Sequence, residues 1–256
     1  MIKLVACDVD GTLLPEGQTV LPDWLFGEIE RLKEKGILFC PTSGRQYNSL
    51  RQLFHSVSSE LFFICENGAV VYEPGNPGCV LYKLPMKRTD ALRLCDDIQR
   101  IAQCEVLVSG ANISYVVPKT QKFVERLRDQ MGNNVCILDD FACVPEDIVK
   151  VSAFCPNGFD QNTAKLAEQW RHTFHPALSG GGWLDFNLVN KGMALKALCV
   201  HLKIEPQEVM AFGDNENDIS MLSFVGKPYL MDFAKENLKN MFSSQCGCVR
   251  DVLVKL

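Results

Sequence analysis

The sequence predicts an α/β protein: a parallel-sheet core domain assembled from both ends of the chain, with a smaller α+β domain inserted between them. Three observations carry this expectation. Short, nearly continuous apolar runs alternate with amphipathic helical stretches near both termini, the pattern of strands buried on both faces of a parallel sheet. The middle of the chain changes rhythm, to helices followed by paired short strands. Polar residues gather where the apolar runs of the outer segments end, which is where open parallel sheets bind ligands.

Taken in order, residues 3–7 read as the first strand. Pro22 opens a helix in which Leu25, Phe26, Ile29 and Leu32 share a face, and Gly36 closes it. Residues 37–40 are the next strand, followed by Pro41-Thr42-Ser43-Gly44 and a second helix expected from about Arg45. A third strand spans 61–65, and Asn67-Gly68 is a hairpin signal into 69–72. The breaker-rich loop 73–78 approaches a boundary. In the middle segment, Ala91, Leu94, Cys95 and Ile98 line a helix that leads to strands around 106–108 and 113–117. A helix near 119–131, strands near 135–138 and 149–154, a helix carrying Leu166 and Trp170, and strands near 177–179 and 183–187 follow. Alternation then resumes with a helix from Lys191 lined by Ala194, Leu195, Leu198 and Leu202. Next come a strand at 209–212, a short helix at Met221-Leu222 and a strand at 226–231. This divides the chain into a core of residues 1–82 and 187–256 and an inserted domain of residues 83–186, within the usual size range of an independent fold.

Composition narrows the function classes. The 256 residues are 47% hydrophobic and 22% charged, which excludes wholesale disorder. The apolar runs are too short to cross a bilayer, and Asp8 comes too early for a signal-peptide core, so a cytoplasmic protein without membrane attachment is expected. A net charge of -5 gives no support to a nucleic-acid partner. Of the twelve cysteines, most sit singly beside apolar runs as small buried hydrophobes; no Cys-x-x-Cys occurs, and Cys246 with Cys248 is read as structural. That many free thiols imply a reducing compartment.

The chemistry is concentrated in four segments: Asp8-Val9-Asp10-Gly11-Thr12, Thr42-Ser43-Gly44-Arg45, Asn190-Lys191-Gly192 and Gly213-Asp214-Asn215-Glu216-Asn217-Asp218. Two aspartates directly after a buried strand repel one another unless a cation sits between them. Asp8, Asp10 and Asp214 are hard oxygen donors of the kind Mg²⁺ takes. Ser43 offers a hydroxyl at an expected helix start, where free N–H groups attract anions, and Lys191 adds a point charge. The set spells a magnesium-dependent phosphoryl site with a carboxylate nucleophile. Alone, each piece has a plainer reading as a turn, a helix cap or a solvated face. Neither a nucleotide P-loop nor Gly-x-Gly-x-x-Gly is present.

In these segments the chain resembles the haloacid dehalogenase-like hydrolases, in particular the Cof-type (subclass IIB) phosphatases. Asp8 to Leu14 matches the first motif, Ser43-Gly44-Arg45 the second, Lys191-Gly192 the third and Gly213 to Asp218 the fourth. The resemblance implies a Rossmann-like core with a cap domain, and Asp8 as the nucleophile that forms a phosphoaspartate. It implies Asp10 as acid and then base, and Ser43, with the N–H groups of Gly11 and Gly44, on the phosphoryl oxygens. Lys191 would neutralise charge on nucleophile and phosphate. Mg²⁺ would rest on the Asp8 carboxylate, the Asp10 carbonyl and Asp214, with Asn217 on the phosphate and Asp218 orienting the metal shell. Two positions depart from the family. Pro15 replaces a polar residue after the first motif. In Tyr229-Leu230-Met231-Asp232-Phe233-Ala234, Phe233 stands where relatives carry Asn, the residue expected to give a polar contact near the metal loop, and the sequence does not say what its replacement does.

The expected substrate is a small phosphorylated metabolite, a sugar phosphate foremost, selected by cap residues with Gly180-Gly181-Gly182 and Trp183 as candidates. A phosphomutase or phosphotransferase using the same phosphoaspartate, and a phospho-acceptor signalling module without turnover, remain open at this level. The cap argues against the second. Substrate identity and oligomeric state are not written in the sequence.

Overall fold

In the computed structural model, which describes residues 1–15 and 17–256, five parallel strands form the core sheet. Their order is Gln245–Cys246, Lys227–Met231, Val209–Gly213, Leu4–Cys7 and Leu38–Pro41. Alternate residues feed opposite faces. Val5, Cys7, Met210 and Phe212 pack with helices Trp24–Glu34, Tyr47–Leu53 and Val249–Leu253 on one side. Leu4, Ala6, Val209 and Ala211 pack with helices Lys191–Leu202, Ile219–Phe224 and Glu236–Lys239 on the other. With no solvent face, each position must be apolar, which is why these strands read as unbroken runs; each fully buried aliphatic side chain contributes about 1.5–3 kcal/mol.

The segment expected as the third strand, Phe63–Cys65, instead opens a separate antiparallel sheet with Val70–Tyr72 and Val80–Lys83. A single bridge, Thr42 to Ile64, ties it to the core sheet. The edge strand Gln245–Cys246 and the terminal helix were not legible, being too short to show a period.

The inserted region holds a six-stranded sheet, ordered His175–Ser179, Trp183–Asn187, Lys150–Phe154, Glu105–Ser109, Ser114–Val116 and Val135–Ile137. Every pair is antiparallel except the last. Val106, Val108, Val151, Ala153, Leu184 and Phe186 face helices Arg88–Gln99 and Gln161–Trp170. The second of these helices is started by Asp160, whose carboxylate accepts the Asn162 and Thr163 N–H groups at 2.8 and 3.0 Å, a cap worth about 1 kcal/mol. The opposite face of this sheet is turned toward the catalytic end of the core, with Leu107, Ser109, Lys150, Ser152 and Asp185 lining the cavity between them. Two cysteines that read as isolated in sequence, Cys104 and Cys155, place their sulfurs 2.9 Å apart in this domain. No helix is long and apolar enough to cross a membrane, among the described residues.

Candidate active site

The carboxyl ends of strands Leu4–Cys7 and Val209–Gly213 lie side by side in the sheet, which brings Asp8 and Asp214 together. Asp8 is buried, and its N–H donates to the Phe212 carbonyl at 3.0 Å, continuing the ladder one residue past the strand. Lys191 begins its helix behind the cap Asn190, whose side chain accepts the Met193 N–H at 3.0 Å. The Lys191 side chain is fully buried and has one direction to go: its ammonium donates to Asp8 Oδ1 at 2.5 Å and to Asp218 Oδ1 at 2.6 Å. The other Asp218 oxygen accepts the N–H groups of Asp214 and Asn215, at 3.0 and 3.1 Å. Asp218 therefore shapes the loop from within, while Asp214 accepts the Thr12 hydroxyl at 2.9 Å.

This arrangement is short of positive charge. One oxygen each of Asp8, Asp214 and Asp218 lies within 4.8 Å of the others, against the single Lys191 ammonium. Asp8 Oδ2 is buried with no hydrogen-bond partner. Burial, then the Asp218 charge, push the Asp8 carboxyl well above the usual carboxylate range, with Lys191 opposing. Burial and Asp218 push the Asp214 carboxyl up to about 6. Burial acts to lower the Lys191 ammonium, but Asp218 and Asp8 outweigh it and hold it above its ordinary value. A divalent metal ion with oxygen ligands fits this deficit and the unpartnered Asp8 oxygen; Asp8 and Asp214 would hold it, because both Asp218 oxygens are already taken.

The structure revises two expectations, for Gly11 and Ser43, and places the remaining site residues. The Gly11 N–H donates to the Leu14 carbonyl at 2.9 Å and is not free for a phosphoryl oxygen. Gly11 serves sterically instead, since at its φ of 96° a Cβ would run into the Asp214 carboxylate. Ser43 is not at a helix start: the helix begins at Tyr47, because the Ser43 N–H is used by the Ile64 carbonyl and its hydroxyl accepts the Arg45 N–H. The Asp10 carboxylate stands outside the acidic cluster, half exposed and gripped by both arms of Arg45 at 2.7 Å. Asn217 donates to Asn67 Oδ1 at 3.2 Å. Gly44 lines the cavity beside Ser43 and Arg45. Phe233 is exposed, and the polar contact to the metal loop comes from Lys235, which pairs with Glu216 at 3.2 Å.

A second buried network escaped sequence reasoning. Lys150 donates to Gly44 O at 2.9 Å and pairs with Glu66 at 2.6 Å. Asp185 accepts Asn67 Nδ2 and Ser179 Oγ at 2.7 Å each, and Ser152 Oγ at 2.5 Å. Burial pushes the Glu66 carboxyl up, with Lys150 opposing. The available signal was a charged residue inside each of two apolar strand runs, Lys150 and Asp185; Glu66 and Asn67 were hidden under a hairpin reading. These contacts pin the inserted sheet to the loops carrying Ser43 and Asn67, and the open cavity between them has a volume of about 490 Å³.

Fold and site together define a capped α/β hydrolase built around a buried aspartate. The chain belongs to the haloacid dehalogenase-like hydrolases, whose family model matches residues 5–251. It is similar to the 5-amino-6-(5-phospho-D-ribitylamino)uracil phosphatase of Escherichia coli, at 26% identity over 91% of this chain and 86% of that one. It is likewise similar to the HMP-PP phosphatase of Cronobacter sakazakii, at 27% identity over 93% of this chain and 87% of that one. Among solved structures, one from Eubacterium rectale superposes with a TM-score of 0.85 at 30% identity, covering 99% of this chain and 98% of that chain.

Proposed function

We propose that this chain is a Mg²⁺-dependent phosphatase of small phosphorylated metabolites, sugar phosphates foremost, working in the cytosol through a phosphoaspartate on Asp8. The observation that carries the reading is the buried Lys191 ammonium shared by Asp8 and Asp218, beside an Asp8 oxygen left without a protein partner. Both curated relatives are phosphatases by name, which supports the reaction class.

The residues divide the work as follows. Asp8 attacks phosphorus, forming a new P–O bond as the bond to the leaving oxygen breaks, and Asp10 supplies the proton that this oxygen needs. Water then attacks the same phosphorus, Asp10 takes its proton, and the bond to Asp8 breaks to release inorganic phosphate. Ser43, whose hydroxyl proton is not engaged by the Arg45 N–H, donates to a phosphoryl oxygen beside Gly44, and Asn217 lies within the same cavity. Lys191 keeps Asp8 ionised and offsets charge at the transition state. Asp8, the Asp10 carbonyl and Asp214 would hold Mg²⁺, which would supply charge neutralisation to the phosphoryl oxygens. The Arg45 grip on Asp10 holds the acid at the cavity mouth until a phosphate competes for the guanidinium.

The test is phosphate release from an aryl phosphate with and without Mg²⁺. Turnover should require the metal and fall by at least ~10³-fold in Asp8→Asn. Stoichiometric labelling without turnover favours the signalling module, and turnover that survives Asp8→Asn removes Asp8 as nucleophile.

A further inference from the structure

The cavity wall furthest from Asp8 carries a cation the reaction does not use. Strand register arranges the cap face in tiers: Ser109 opposite Lys150, then Leu107 opposite Ser152 and Asp185, then Phe154 opposite Trp183. Lys150 touches Gly44 beside Ser43, and the Phe154 tier lies four residues, roughly 13 Å, further along the same strand. There the Arg126 guanidinium lies over the Phe154 ring at 4.8 Å from its centroid, and Phe154 in turn packs on Trp183 at 4.8 Å.

Three features mark Arg126 as built for a ligand. Arg45 and Lys150, the other basic side chains lining the cavity, are ion-paired, whereas Arg126 has no carboxylate within ion-pair distance among the described residues. Its Nε is buried without an acceptor, a donor left unsatisfied by the protein. The backbone is also adjusted around it. Arg126 opens a π-helical turn, Arg126–Gln130, in which the Met131 N–H reaches back five residues to the Arg126 carbonyl at 3.0 Å, a rare geometry frequent at functional sites. Gly181, at φ 71°, lets its backbone approach the guanidinium closely, since a Cβ there would stand 3.2 Å from Arg126 Nη2.

We infer that Arg126 receives a second anionic group of the substrate, a carboxylate at the end of the leaving group opposite the scissile phosphate. The inference rests on the phosphatase reading and adds the class of leaving group: a chain of about hexose length, hydroxylated where it passes Ser152, Ser179 and Asp185, and anionic at its far end. A planar guanidinium resting over an aromatic ring is partly preorganised for a two-oxygen acceptor, so less is lost in ordering it.

The experiment compares 6-phosphogluconate with glucitol 6-phosphate, equal in length and different only at the end remote from the phosphate, with 4-nitrophenyl phosphate as a third substrate. The wild-type protein with Mg²⁺ should prefer the carboxylate ester by about tenfold or more in kcat/KM. Arg126→Gln should bring the ratio to about one, mainly through a raised KM for 6-phosphogluconate. Arg126→Lys should retain part of the preference, which separates lost recognition from lost folding, and Gly181→Ala should reduce it by crowding the guanidinium. Turnover without preference in the wild type, or a ratio that Arg126→Gln leaves in place, overturns the inference. Failure to turn over any of the three removes the catalytic reading instead. Calorimetric binding of the two sugar esters then decides the subsite, a preference abolished by Arg126→Gln supporting it and equal affinities overturning it.

Discussion

Replacing Lys191 by Met tests the centre of the site by stability alone. Lys191 and Asp218 are fully buried and joined at 2.6 Å, and Asp8, which shares the ammonium, is nearly as buried. Methionine keeps most of the volume and removes the charge, leaving two buried carboxylates without their cation. Breaking a buried pair in this way costs about 3–5 kcal/mol, a large part of the 5–15 kcal/mol that a domain has in all. Asp218→Asn alone costs less, about 1–3 kcal/mol, because losing an acceptor of Lys191 is partly offset by less repulsion at Asp8 and Asp214. Once Lys191 is gone, the same Asp218→Asn change removes an uncompensated charge and becomes favourable. The double variant should therefore be more stable than the sum of the singles predicts, with a coupling of about 1.5 kcal/mol or more. Urea midpoints in metal-free buffer at pH 7, with unchanged m-values, measure all four corners of the cycle. Additivity within about 0.5 kcal/mol would refute the shared-ammonium argument.

Two other expectations follow from the same electrostatics. With its carboxyl pushed up to about 6, against about 3.9 unfolded, Asp214 binds its proton more tightly in the native state. Its contribution is therefore fully present below about pH 4 and lost as pH rises through about 6. Without metal, the stability advantage of Asp214→Asn over the wild type should grow across that window and stay level above it; a pH-independent difference in denaturant midpoints contradicts this. In the cap, Lys150→Met strands the buried Glu66 and Asp185 and should cost about 3–5 kcal/mol, with most of the loss restored by adding Glu66→Gln. Thermal unfolding of the two variants checks it, and an unrestored double variant counts against the pair.

The catalytic segments were legible because each is a local signal, a cluster of polar residues where an apolar run stops. The β-strand ends at Cys7 and Gly213 place Asp8 and Asp214 by the same register that buries the strands, so finding the strands nearly finds the site. Where the reading went astray, backbone hydrogen bonding was responsible. The Gly11 N–H is consumed by Leu14, and Ser43 is drawn off its helix by Ile64 and Arg45, choices that no spacing rule displays.

By itself the sequence determined the fold class, the order of the strands' polar ends and the residue types that gather there, since burial patterns and turn chemistry act over a few neighbouring residues. Only the tertiary structure decided what those residues do to one another. That Lys191 serves Asp8 and Asp218 together, that Arg45 closes on Asp10, and that Arg126 stands above Phe154 depend on elements 27 to 183 residues apart coming within bonding distance. Such contacts are set by packing and register across the whole molecule, where charge, distance and dielectric act through space without regard to chain position.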